Sequence, residues 1–210
     1  MVLSKLWLYG IPGAGKPVLS ATMIEHTSAH RTEKIGSAYF FCEYADKATQ
    51  SCRNMLGSIA RQLALQNRQA LDMLTKFHND MTDLQQQDFD PQDADLLDLV
   101  ESMSTNFEDT IIIIDGLDEC LNDRSMVVER LTQLSRDGTG TIKTLFASRE
   151  EPDIKICLAA FDNVAIAASK ADVRLYVAAQ LKSKFKRLCE KEPALGDQIL
   201  NTLVDRSEGM

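Results

Sequence analysis

Thr110-Ile-Ile-Ile-Ile114 is an unbroken β-branched run that ends in an acid, Asp115. A run with no polar alternation predicts a strand buried on both faces, the kind found in parallel sheets covered by helices above and below. Other apolar runs fit the same sheet: Leu6–Tyr9, Gly36–Tyr44, Thr141–Ala147 and the weaker Asn163–Ala167. Between them lie stretches of helical periodicity at Val18–His30, Ala48–Asn67, Gln92–Met103 and Ser125–Arg136, and two more close the chain, Ala171–Cys189 and Pro193–Arg206. In the first of these helices Val18, Leu19, Met23 and Ile24 are the residues available for a buried face. His78–Pro91 reads as the tail of a helix and a loop, and Asp137–Gly140 as a turn. Strands alternating with helices predict an α/β fold built on a parallel sheet.

At 210 residues, with 44% hydrophobic and 26% charged residues, the chain has the composition of one soluble domain with a full core. The longest aliphatic run, Ile111–Ile114, is far too short to cross a bilayer. Gly10-Ile-Pro interrupts the apolar start before a secretory signal could form, so the reading is soluble and cytoplasmic with no membrane partner. Five cysteines (Cys42, Cys52, Cys120, Cys157 and Cys189) have no metal-ligand spacing and read as reduced thiols. His26 and His30 lack a third ligand nearby, and His78 stands alone. The formal net charge of −8 is concentrated between Phe77 and Asp123, which hold 14 acidic residues and no Lys or Arg. That stretch reads as a solvated connection, and the overall acidity excludes nucleic acid as a primary partner.

Gly10-Ile-Pro-Gly-Ala-Gly-Lys16, between the first strand and the first helix, follows the pattern G-x-x-x-x-G-K-[ST] up to its last position, where Pro17 stands. In that pattern the glycines let backbone N–H groups face phosphates, and the lysine reaches the outer phosphates as a point charge. The hydroxyl at the eighth position is a ligand for Mg²⁺. Gly10, Ile11, Pro12, Gly13, Ala14, Gly15, Lys16, Pro17 and Val18 are therefore the candidate nucleotide-binding residues, with ATP or GTP as the ligand. The buried strand ending in Asp115-Gly-Leu-Asp118-Glu119 supplies a carboxylate for Mg²⁺ at Asp115. Asp118 and Glu119 are candidates to orient or deprotonate an attacking water. Arg149, after the strand Thr141–Ala147, is a candidate to sense a γ-phosphate. No Arg-rich lid of a small-molecule kinase is visible, nor an Asn-Lys-x-Asp motif of a GTPase.

The phrases LWLYGIPGAGK, YFFCEYADKATQ, IIIIDGLDEC and TLFASREEPDI resemble the NACHT nucleotide-binding domain of STAND-class signalling NTPases, in its nephrocystin-like version. The resemblance covers nearly the whole chain. It implies a P-loop NTPase three-layer sandwich whose five-stranded parallel sheet is ordered 5-1-4-3-2, with residues 1–168 as the core and 169–210 as a helical extension of the same domain. It implies ATP or GTP with Mg²⁺, slow hydrolysis, and use as a switch whose partners are further copies or other signalling NTPase chains. Lys16 takes the part of the phosphate lysine, Asp115 of the metal aspartate, Asp118 and Glu119 of the hydrolytic acids, and Arg149 of the sensor. Relatives are expected to continue beyond both ends of this chain, so it reads as the truncated core of such a switch.

Pro17 departs from the family pattern. It removes the metal-binding hydroxyl and a phosphate-directed N–H, and it biases Lys16 away from helical backbone. Proline is nonetheless well tolerated in a first helical turn. Losing one charge-assisted bond costs about 1.5–3 kcal/mol, roughly ten- to a hundred-fold in affinity. The expectation is nucleotide binding with weak or absent hydrolysis; the alternative is a degenerate interaction module or decoy that binds no nucleotide.

Overall fold

The computed structural model describes residues 4–29, 34–83, 91–120, 123–135, 142–167, 170–186 and 191–206. Its strands are β1 (Lys5–Tyr9), β2 (Ile35–Phe41), β3 (Asp109–Asp115), β4 (Ile142–Ser148) and β5 (Asp162–Ala165). They form one sheet in the order β2-β3-β4-β1-β5, with β3 parallel to both β2 and β4, and β4 parallel to β1. The β-branched run behaves as its composition demands: Ile112, Ile113 and Ile114 are all buried, flanked by β2 and β4. The helices are α1 (Lys16–Ala29), α2 (Cys52–Ala64), α3 (Arg68–Asp83), α4 (Asp93–Ser104), α5 (Arg124–Thr132), α6 (Pro152–Cys157), α7 (Lys170–Lys184) and α8 (Pro193–Arg206). Among the described residues no helix is long and apolar enough to cross a membrane.

Two compact units divide the chain. The first holds residues up to Tyr9 and Lys16–Val164; the second holds Gly10–Gly15 and the chain from Ala165 onward. The core of the first unit lies between the sheet and α2, α4 and α5, where Met55, Leu56, Ile59, Leu63, Val100, Met103, Val128 and Leu131 are fully enclosed. In the second unit α7 and α8 pack on each other, joined by a 2.8 Å hydrogen bond from Arg174 Nη2 to Asn201 Oδ1.

Several sequence expectations change in detail. The long helix read over Ala48–Asn67 is a 3₁₀ turn (Lys47–Gln50) and α2, separated by Ser51 in extended backbone. Asp46 closes that turn by accepting the N–H of Ala48 at 2.9 Å. Of helix α3 only the tail from His78 was expected, and α6 had no counterpart in the sequence reading. The acidic stretch read as a solvated connection also contains α4, the helix read over Gln92–Met103, which buries Leu96, Leu97, Leu99, Val100 and Met103. A capping box between Gln92 and Asp95 starts that helix. The turn expected at Asp137–Gly140 lies outside the described residues.

The largest correction concerns α1. It starts at Lys16, and its buried residues are Lys16 and Ser20. Val18, expected inward, is 71% exposed, and Leu19, Met23 and Ile24 are only half-buried. This helix packs beside β2, β3 and β4, so its inward line carries the polar residues that meet the acidic end of β3.

Edge strand β2 is closed by side chains. Gln66 accepts the N–H of Ser37 (2.9 Å) and donates to its carbonyl (2.7 Å). Gln62 does the same for Tyr39, at 3.1 and 2.8 Å. Four residues apart, the two amides act as a substitute strand along an edge that would otherwise offer unpaired backbone.

Candidate functional site

Lys16, Asp115, Asp118 and Arg149 come together in the first unit, at the carboxyl ends of β3 and β4. Lys16, the first residue of α1, is 8% exposed. Burial depresses its pKa, and Asp118 and then Asp115 oppose that by attraction, while Arg149 adds to the depression. All three charges therefore act on the Lys16 ammonium. Asp115 ends β3, opposite Phe41 of β2 and Ala147 of β4, and is 3% exposed. Its carbonyl accepts the N–H of Cys42 at 2.9 Å, and the N–H of Gly116 reaches Ala147 O at 2.9 Å. The strand end is thus tied to both neighbours.

Burial raises the pKa of the Asp115 carboxyl, and Ser20, Gly116 and Lys16 pull it part of the way back. Ser20 lies one helical turn after Lys16 and is fully buried. Its hydroxyl stands close enough to Asp115 to favour the ionised form, yet outside hydrogen-bonding geometry. Among the described residues, Ser20 Oγ and Asp115 Oδ2 are both buried without a hydrogen-bond partner. Orphaned buried oxygens are rare and want a water or a cation. The donor set suits Mg²⁺, which takes one or two carboxylates and completes its shell with waters and phosphates. Among the described residues no cluster of three His, Cys, Asp or Glu able to hold a metal occurs.

Gly116 turns the chain after Asp115 with φ of 81°. A short 3₁₀ segment, Leu117–Glu119, follows and presents the two acids. Both are engaged. Asp118 Oδ1 accepts the backbone N–H of Arg149 at 2.9 Å, and its Oδ2 pairs with Arg149 Nε at 3.0 Å. Glu119 Oε2 accepts the N–H of Tyr44 at 2.7 Å. Arg149 is placed by β4, whose last residue, Ser148, is buried between Trp7 Nε1 (2.9 Å) and the carbonyl of Arg149 (2.8 Å).

Sequence reasoning missed Ser20, Arg124 and Asp153. Arg124 opens α5, donates to the Asp118 carbonyl at 3.3 Å, and makes two 2.7 Å bonds to Asp153 of α6. That fork raises the Arg124 pKa and holds the Asp153 carboxyl below its ordinary value. No motif announces Arg124 or Asp153. Ser20 had a usable signal, its helical-turn spacing from Lys16.

The glycine loop lies in the second unit. Ala14 N–H closes a turn on Ile11 O at 3.2 Å, and Gly13 and Gly15 adopt φ of 80° and 91°. A methyl group at Gly15 would meet nothing within 4 Å, so glycine is needed there for its backbone conformation rather than for space. Ile11, Pro12 and Gly13 are exposed, as are Pro17 and Val18 on α1.

A parallel sheet with this strand-loop-helix start, a buried lysine at the helix start and a buried aspartate ending a central strand defines a P-loop NTPase-type fold. The chain belongs to the family described as Nephrocystin 3, N-terminal, whose profile matches residues 3–149. The resemblance to nephrocystin-like NACHT domains is thereby borne out. The vegetative incompatibility protein HET-E-1 of Podospora anserina is 26% identical over 155 residues, 71% of this chain. The chain spans only 11% of that relative's length. Among solved structures, Drosophila ORC bound to DNA superposes with a TM-score of 0.51 at 13% identity, over 96% of this chain and 47% of that one. At that identity the likeness is one of fold alone.

Proposed function

We propose that the chain is the nucleotide-binding core of a STAND-type signalling switch, taking ATP or GTP and hydrolysing it slowly or not at all. The observation that carries this reading is the buried pair at the sheet's carboxyl end: Lys16 under the influence of Asp115 and Asp118, with Asp115 Oδ2 left without a partner. A protein stabilised only by packing gains nothing from a buried lysine and an orphaned carboxylate oxygen, since both cost desolvation energy. A nucleotide and its cation offset that cost. Residues Gly10 to Lys16 hold the phosphates along one continuous stretch of chain, and Lys16 attracts the outer ones. Asp115 holds Mg²⁺, directly or through water, and the ion when bound neutralises phosphate charge.

Slow turnover follows from what the acids already do. Both oxygens of Asp118 are committed to Arg149, and Glu119 gives one of its two to Tyr44. Pro17 further removes the metal-binding hydroxyl of the family pattern. The same residue supports a second reading, a degenerate interaction module that binds no nucleotide. The family resemblance supports further copies or other signalling NTPase chains as partners.

Calorimetric titration of the purified chain with ATP and with GTP, each with and without Mg²⁺, tests the proposal. Saturable binding that Lys16→Met abolishes is the expected result. Absence of binding at millimolar nucleotide would leave the second reading standing. Pro17→Thr is expected to tighten Mg²⁺-dependent binding roughly ten- to a hundred-fold, with little change in the absence of the metal.

A further inference from the structure

We propose that Asp118 is a latch for Arg149, holding the guanidinium away from the phosphate site until a nucleoside triphosphate competes for it. The inference rests on the nucleotide reading and assigns Asp118 a positioning role in place of water activation. Its two oxygens take the backbone N–H and Nε of the same arginine, at 2.9 and 3.0 Å, a fork that fixes both the loop after β4 and the direction of the side chain. Asp118 is nearly enclosed while Arg149 is half exposed, so the immobile partner is the acid and the movable one is the arginine. The acid is itself braced, since Arg124 donates to the Asp118 carbonyl and is anchored on Asp153. Lys16 lies within electrostatic reach of both Asp118 and Arg149, so the latch sits beside the residue that would meet the outer phosphates.

A latched arginine imposes a cost that only some ligands can recover. A diphosphate has no γ-phosphate to draw Arg149 from Asp118 and binds with the latch closed. A triphosphate offers the guanidinium three further anionic oxygens but must first open the latch. If the open form is about one-tenth populated, triphosphate affinity is reduced about ten-fold from its intrinsic value. The switch is then biased toward its diphosphate form by a single ion pair.

The test is titration of fluorescent di- and triphosphate against the wild type, Asp118→Asn, Arg149→Ala and the double variant. Asp118→Asn is expected to tighten triphosphate at least three-fold more than diphosphate. Loss of acid repulsion alone tightens both ligands, so the ratio separates the two effects. Arg149→Ala and the double variant are expected to show the same triphosphate-to-diphosphate ratio, since without the arginine the latch has nothing to hold. An unchanged ratio in Asp118→Asn, or a gain that persists in the double variant, overturns the proposal.

A second measurement needs only the wild type. The Arg149 Nε–H resonance, assigned by its absence in Arg149→Ala, is expected to exchange slowly with solvent in the free protein. It should shift on adding triphosphate and stay in place with diphosphate. A fast-exchanging resonance refutes the latch whether or not Asp118→Asn folds. Failure of the wild type to bind either nucleotide, with the resonance still protected, refutes instead the nucleotide reading and the competition built on it.

Discussion

Gly116→Ala tests whether the end of β3 is as tightly determined as its geometry implies. Gly116 has φ of 81°, a conformation that costs an L-residue about 1–2 kcal/mol. An added methyl would also lie 2.7 Å from the carbonyl oxygen of Cys42. That atom is backbone and cannot rotate away, so β2 and β3 must separate at their ends. The separation strains the 2.9 Å bond from Cys42 N–H to Asp115 O, worth about 0.5–1.5 kcal/mol net. Together these give a loss of about 1.5–3.5 kcal/mol, or roughly 3–14 °C in melting temperature for a chain of this size. Gly57→Ala is the matched control. Gly57 lies inside α2, and a methyl there meets nothing within 4 Å, so alanine should stabilise by about 0.5–1 kcal/mol. Thermal unfolding followed by circular dichroism compares the two directly. A Gly116→Ala melt within 1 °C of wild type would refute the reasoning, as would equal destabilisation by both substitutions.

Two further outcomes follow from the same structure. Because burial raises the Asp115 pKa, the folded state binds that proton more tightly than the unfolded chain does. The ionised carboxylate therefore costs stability above the raised pKa, and the cost fades as pH falls through it toward 3.8. In nucleotide-free protein Asp115→Asn should raise the melting temperature near neutral pH, with a gain that shrinks on acidification; a gain that grows instead counts against the burial account. Replacing Gln62 and Gln66 together by Ala uncovers the backbone of β2 from Ser37 to Tyr39. The partly exposed bonds should cost only about 1–2 kcal/mol in total, but light scattering should show concentration-dependent association through the freed edge. A double variant that stays monomeric at high concentration removes the edge-closing role.

What was legible in the sequence is what neighbouring residues decide. The β3 run carries its own burial pattern, and α4 carries a helical period of apolar residues, so both appear within a residue or two of expectation. Lys16 and Asp115 were legible for a related reason: each ends a local pattern, a glycine loop or a strand. The inward line of α1 was not, because which face of that helix turns inward depends on β3 and β4, distant in sequence, and there the buried residues are Lys16 and Ser20 rather than Val18. The Asp118–Arg149 fork and the Arg124–Asp153 fork join residues 31 and 29 positions apart, brought together by a sheet order that no local pattern encodes. Gln62 and Gln66 likewise read as ordinary solvent-facing amides until β2 is placed beside them.

Pro17 is the residue on which the reading of this chain turns, and its position in the fold limits what it can damage. It sits in the first turn of α1, where a missing N–H costs the helix nothing, and its ring is exposed. The buried polar line beneath it, Lys16 and Ser20 facing Asp115, stands intact. Loss of function by drift would be expected to relax this line first, because an orphaned carboxylate and a desolvated lysine destabilise a fold that no longer uses them. The costly residues beside a harmless-looking proline are what the proposed switch requires: a site that binds, with the cation's shell weakened and hydrolysis given up.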